Sequence, residues 1–327
     1  MTKQLDAPYP KTGLVKLGVS SCLLGEKVRY NAGHAKDDFL LNTLSAHVQW
    51  VRICPEFEMG PGVPRETIRL VGDSNEPRLV SSKSGVDHTD SMKAWSKMRL
   101  FELADMDLMG YVFKKDSPNC GLFRARVYAQ HGVPPRPGRG LFAKDFVDNF
   151  PSLPVEEEGR LHDAKLRENF ITRVFAYHRW RAFVRLGLSV RGLVDFHAAH
   201  KMMLMAHHPA QQKELGRIVA DAGRREINDV ANDYLKMFME SLGSHATNRK
   251  HTNVLQYLMG YLKKHIDNED KNELLTVIEQ YHQGMLPLIV PITLLQHHLR
   301  RNPVPDWVIQ QTYLNPYPQE LMLRNHV

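Results

Sequence analysis

Cysteine is scarce: the 327-residue sequence holds three, Cys22, Cys54 and Cys120. So few, in odd number, cannot complete a disulfide framework and point to free thiols or a metal site. No apolar run reaches the roughly 18 residues that a membrane span needs, so no membrane segment is expected. The opening residues MTKQLDAPYPKTG lack both an apolar stretch and a small-residue cleavage site. A secretory signal is therefore not expected, and the expected location is the cytoplasm. No internal repeat is evident. Acidic charge is the smaller share, with 36 Asp and Glu against 43 Lys and Arg. The resulting charge of +7 is compatible with a nucleic-acid partner without requiring one.

What is present is a folded composition, 43% hydrophobic and 24% charged, at a length that suits two domains. Apolar runs at 15–21, 48–54 and 108–114 read as strands, and 37–46 and 88–106 read as helices. This order predicts an α/β domain with a largely parallel sheet over residues 1–155. Residues 61–84, rich in Gly, Pro and Ser, read as a long loop with at most short strands. GVPPRPGRG at 132–140 reads as a second loop, before a short helix at 141–149. The acidic stretch 156–159 reads as a linker. From 160 to 327 the texture is helical, with breaks at Pro209, Gly223, Gly243, Pro287 and Pro303, and predicts an all-α domain of seven or eight helices.

The three cysteines are far apart, yet each follows a predicted strand: GVSSC, VRIC and YVFKKDSPNC. Parallel strands share a carboxyl edge, where open α/β sheets place ligands, so the three thiols can converge. Thiolates suit zinc or an iron-sulfur cluster. His34 would complete a Cys3His zinc site, whereas a cubane on three thiolates leaves one iron open. Spacing alone does not choose between them.

SSCLLGEKVRYNAGH at 20–34, CPE at 54–56, GVPR at 62–65 and KKDSPNCG at 114–121 occur in this order. Together they resemble the bacterial thiouracil desulfidase family over residues 14–155. The resemblance implies a 4Fe-4S cluster on Cys22, Cys54 and Cys120 with one iron free of protein ligands. Further on, DFHAAHKMMLMAHH at 195–208, HTNVLQYLMGYLKK at 251–264 and YLNPYPQELMLRN at 313–325 are similar to the YbgA-type domain. Proteins joining both halves resemble desulfidases implicated in removing sulfur from 4-thiouridine in transfer RNA (tRNA). Salvage of free thiouracil or a thiolated nucleotide is the close alternative. A non-catalytic RNA-binding protein with structural zinc is the alternative of a different class.

The implied exchange of sulfur for oxygen needs proton handling near the metal. Glu56, two residues after Cys54 and restrained by Pro55, is the expected acid or base, against a plain surface glutamate. Ser117 is expected to orient substrate or water, with a turn cap as the alternative. Ser21, Arg29, Asn31 and His34 are expected at the substrate, and Lys114 and Lys115 near a phosphate. His197, His200 and Lys201 share one side of a helix, where core or nucleic-acid contacts are expected in preference to a second metal site. Arg179, Arg181 and Arg185, interleaved with aromatics, are expected to track RNA phosphates.

Overall fold

The structure, a computed structural model, describes residues 15–128 and 136–327. The chain divides into two compact units with the boundary between His162 and Asp163. The first unit is α/β and the second is mostly helical.

In the first unit, β1 (Val15–Ser20) and β2 (Val48–Ile53) pair in parallel over their full lengths, from Val15 with Val48 to Ser20 with Ile53. Between them the expected helix over 37–46 is a π-helical turn, Phe39–Thr43, followed by a 3-10 turn, Leu44–Ala46. After β2 comes α1 (Pro55–Glu58), a single turn with proline at its first position, where no amide donor is needed. Residues 61–84, expected as a long loop with at most short strands, contain the antiparallel hairpin of β3 (Ile68–Gly72) and β4 (Pro77–Ser81). Leu70 and Leu79 face each other across it and are fully buried. Their inward position follows strand alternation, which the Gly, Pro and Ser around the hairpin masked.

The helix α2 (Thr89–Ala104) leads to β5 (Tyr111–Phe113), shorter than the run at 108–114 suggests. The strands β6 (Ala125–Tyr128) and β7 (Arg136–Gly138) extend the hairpin into a second sheet of order β4-β3-β6-β7. Part of the expected loop at 132–140 is therefore strand, and its residues 132–135 lie outside the described residues. The helix α3 (Leu141–Asn149) packs Phe142 and Phe146 on Tyr111 and Phe113. Gly18 sits opposite Tyr111 in the β1–β5 pairing, and a Cβ there would overlap the tyrosine ring.

The acidic stretch expected as a linker is corrected: Val155–Glu157 is β8, pairing in parallel with β5 and completing the sheet β2-β1-β5-β8. Buried carboxylates are costly unless each is partnered, and here each is. Glu156 accepts from Arg160 Nε at 2.8 Å, Glu157 from the Leu122 and Phe123 amides, and Glu158 from Lys114 Nζ and the Lys115 amide. The acids thus fasten both ends of the segment carrying Cys120.

The second unit contains α4 (Ala164–Arg185), α5 (Val190–His207), α6 (Pro209–Ala220), α7 (Ile227–Gly243), α8 (Asn248–Met259), α9 (Asn268–His282), α10 (Ile289–Arg301) and the short α11 (Asp306–Ile309). Side-chain caps from Asp163, Ser189, Thr247 and Asp267 satisfy amides at the starts of α4, α5, α8 and α9. Its core stacks Trp180 on Tyr234 at 5.5 Å, beside Phe183, Phe196 and Phe238. Among the described residues no helix is long and apolar enough to cross a membrane.

Candidate functional site

Sheet order explains how remote cysteines meet. The strands β2, β1 and β5 are neighbours, and Cys54, Cys22 and Cys120 follow them at the shared carboxyl edge. Cys22 sits in a 3-10 turn, Ser21–Leu24, closed by Gly25 in the left-handed region at φ 89°. Cys54 is the N-cap residue of α1. Cys120 follows a turn in which the Ser117 hydroxyl accepts from the amides of Asn119 at 3.2 Å and Cys120 at 3.0 Å. All three thiols line one cavity of about 490 Å³.

Burial pushes the thiol pKa of Cys22 up to about 11, opposed by Lys114 and Arg29. Burial also pushes Cys54 up to about 12 and Cys120 well above the ordinary thiol value, the latter opposed by the Ser20 hydroxyl. These thiols are neutral without a cation, and loading a metal would expel their protons. Among the described residues no three His, Cys, Asp or Glu side chains close on a single-ion position. The three thiols in its wall are soft donors of the kind that suit zinc or an iron-sulfur cluster.

Glu56, on α1, lines the same cavity. Its Oε2 accepts from Arg65 Nη2 at 2.7 Å, and its Oε1 lies 3.4 Å from both Ser117 Oγ and Asn119 Nδ2. Ser117 therefore acts as the turn cap and also faces Glu56. The Arg65 side chain is 6% exposed and also donates Nη1 to the Val28 and Gly62 carbonyls. The expectations gave Arg65 no role, although GVPR was one of the motifs.

Ser21 and Arg29 line the cavity, as do Lys114 and Lys115. Asn31 and His34 are exposed and are not among its lining residues. Each serves its own loop: Asn31 Oδ1 accepts from the Gly33 amide, and His34 Nδ1 from the Lys36 amide. The structure thus places both outside the cavity that Ser21 and Arg29 line.

Of the three arginines expected to track phosphates on α4, Arg179 is the one the structure encloses. Arg179 is 7% exposed, donating Nε to His200 Nε2 at 3.1 Å and Nη1 to the Pro316 carbonyl at 2.7 Å. An arginine so enclosed serves the helical core. Arg181 is half-buried and Arg185 exposed. His200 Nδ1 bonds the Phe196 carbonyl, and His197 Nδ1 bonds Tyr234 Oη at 3.0 Å. Burial lowers the pKa of His200 well below its ordinary value and that of His197 to about 4.

A parallel sheet that brings three thiols, a carboxylate and a hydroxyl to one cavity defines an α/β protein with a sulfur-rich ligand site. Residues 17–158 match the model of the 2-thiouracil desulfurase family, and residues 201–318 match DUF1722, a family of unknown function. YbgA of Escherichia coli (strain K12), an uncharacterized protein, is 30% identical over 159 residues, covering 48% of this chain and 94% of YbgA. YbbK of Bacillus subtilis (strain 168), also uncharacterized, is 31% identical over 108 residues, covering 32% of this chain and 71% of YbbK. The solved structure of the 4Fe-4S-dependent thiouracil desulfidase TudS aligns at 25% identity and a TM-score of 0.38 over 45% of this chain and 93% of TudS. The chain carries a 2-thiouracil desulfurase domain in its α/β unit and a DUF1722 domain in its helical unit, and it belongs to the family of YbgA. The first domain supports a desulfidase activity.

Proposed function

We propose that this protein is a 4Fe-4S-dependent desulfidase that replaces the thiocarbonyl sulfur of a thiolated pyrimidine by oxygen. The observation carrying this reading is the convergence of Cys22, Cys54 and Cys120 on one cavity with Glu56 and Ser117 in its wall. A 4Fe-4S cluster on those thiolates would supply an open iron as a soft Lewis acid for the substrate's sulfur. Glu56 takes a proton from the attacking water, and Arg65 holds the carboxylate in place. The Ser117 hydroxyl, 3.4 Å from Glu56, orients the water. In the balance, carbon exchanges its two bonds to sulfur for two to the water's oxygen. The water's two protons leave with sulfide, and no electron is transferred.

The substrate we propose is 4-thiouridine in tRNA. Its support is the resemblance to two-domain tRNA desulfidases and the excess of 21 Lys and Arg over 16 Asp and Glu in residues 161–327. A thiolated nucleotide is the second reading, favoured by Arg29 and Lys115 at the cavity. The deciding experiment gives anaerobically reconstituted full-length protein either thiolated tRNA or 4-thiouridine monophosphate and measures loss of the thiocarbonyl absorbance. Faster turnover of tRNA per substrate supports the first reading. Turnover of the nucleotide alone transfers the assignment to salvage, and turnover of neither rejects the activity.

A further inference from the structure

The helical unit carries a compact aromatic cluster built from three elements. Tyr257 belongs to α8, Tyr261 to the turn that follows, and Trp307 to α11. The Tyr257 and Tyr261 hydroxyls are 3.1 Å apart, and the Tyr261 and Trp307 rings meet edge to face at 5.3 Å. Tyr261 and Trp307 are anchored against the helical core, whereas Tyr257 is 39% exposed. Lys201 of α5 places its ammonium 5.8 Å from the ring centres of both Tyr257 and Trp307.

The charge of this cluster is uncompensated. Among the described residues no carboxylate forms an ion pair with Lys201, whose partners are the two neutral rings. Cation–π contact holds the ammonium in place but leaves its charge intact. Lys263 and Lys264, both exposed, lie two and three residues beyond Tyr261 in the chain. The ligand that satisfies such a surface has a flat face to lie on an exposed ring and an anion to meet the ammonium. A nucleotide of single-stranded RNA has both. An acidic peptide offers only the anion, and an apolar helix only the face. Lys201, Tyr257, Tyr261 and Trp307 all fall within the segment that matches DUF1722.

We propose that Lys201, Tyr257 and Trp307 form a stacking site for an unpaired nucleotide of an RNA substrate. This rests on the RNA reading above, because a free nucleotide would need only the cavity of the α/β unit.

The test uses the full chain with a short uridine-rich single-stranded RNA at low salt. Binding quenches tryptophan fluorescence, and Trp307→Phe removes most of the quench. Tyr257→Ala weakens binding about tenfold or more, while Tyr257→Phe, which keeps the ring, binds like the wild type. Lys201→Gln weakens binding and lowers the slope of log K against log salt by about one phosphate contact. Turnover of 4-thiouridine monophosphate and the melting temperature stay unchanged in all four variants. RNA binding that every variant retains overturns this site and leaves the RNA reading intact. Polyglutamate binding that weakens in Lys201→Gln but not in Tyr257→Ala, with RNA unable to compete, overturns the site in favour of an acidic protein partner. Absence of RNA binding by the wild type overturns both readings.

Discussion

Arg65 Nη2 stands 2.7 Å from Glu56 Oε2, with both side chains largely withdrawn from solvent at 6% and 18% exposure. Because Nη1 of the same guanidinium is fixed on two backbone carbonyls, the carboxylate cannot drift without breaking a charged hydrogen bond. Glu56→Gln is expected to load iron normally and to lose about 100-fold or more in turnover, the scale of a positioned acid or base. Arg65→Ala should cost about 100-fold in kcat with a smaller change in KM, since it displaces Glu56 without removing it. Arg65→Lys should recover only part, because an ammonium cannot reproduce the planar fork. Steady-state kinetics on equally iron-loaded samples check all three, and normal kcat in Arg65→Ala would sink the positioning role.

The three thiols make a sharper prediction about metal content. Wild-type protein reconstituted without oxygen should bind about four irons and a matching amount of acid-labile sulfide. Each of Cys22→Ala, Cys54→Ala and Cys120→Ala should lower iron retention and abolish turnover. Iron, sulfide and zinc analysis of the same samples reads the outcome. One zinc per chain with no sulfide would move the site to structural metal chemistry.

Much of this site was legible because strand ends can be read from sequence. GVSSC and VRIC each join a β-rich run to a cysteine, and parallel order then carries the thiols to one edge. Glu56 was legible through its proximity to Cys54. Arg65 was not, since its partner is fixed by how the 54–65 loop folds back, which no local pattern records. The strand β8 was missed because Val-Glu-Glu reads as solvated charge, and the donors on Leu122, Phe123 and Arg160 make the burial of its two carboxylates tolerable. Arg179 was misassigned for the complementary reason: basic residues along α4 look exposed until the Pro316 carbonyl and His200 arrive from distant positions.

The Glu158–Lys114 pair tests the bracing supplied by the residue that follows β8. Lys114 Nζ lies 2.6 Å from Glu158 Oε1, and Glu158 also receives the Lys115 amide. Removing one partner of a buried pair leaves the other uncompensated, so Glu158→Ala should destabilise the α/β unit by about 3 kcal/mol. The same change frees the segment leading to Cys120, and cluster loss on dilution into chelator should accelerate. Denaturant unfolding and the decay of cluster absorbance measure the two effects. A variant as stable as wild type, holding its cluster as long, would show that Glu158 does not brace this segment.

The helical unit should weaken in mild acid, and the buried histidines set the direction. In the unfolded chain His197 takes up a proton near its ordinary value of 6.5, whereas in the fold burial delays this to about 4. Between those values the unfolded chain binds more protons than the folded one, so stability falls as pH is lowered through this window. His200, His207 and His251 are depressed by burial in the same direction. Each histidine contributes a slope of up to about 1.4 kcal/mol per pH unit while its two states differ by one proton. His197→Phe should remove one such contribution. It loses the bond to Tyr234 Oη and starts less stable at pH 7, yet its stability should decline less steeply between pH 6 and pH 5. Urea titrations at several pH values, followed by the fluorescence of Trp180 stacked on Tyr234, supply both slopes. Equal slopes for the two proteins would mean that His197 is protonated in the folded unit and that its burial exerts no control over acid stability.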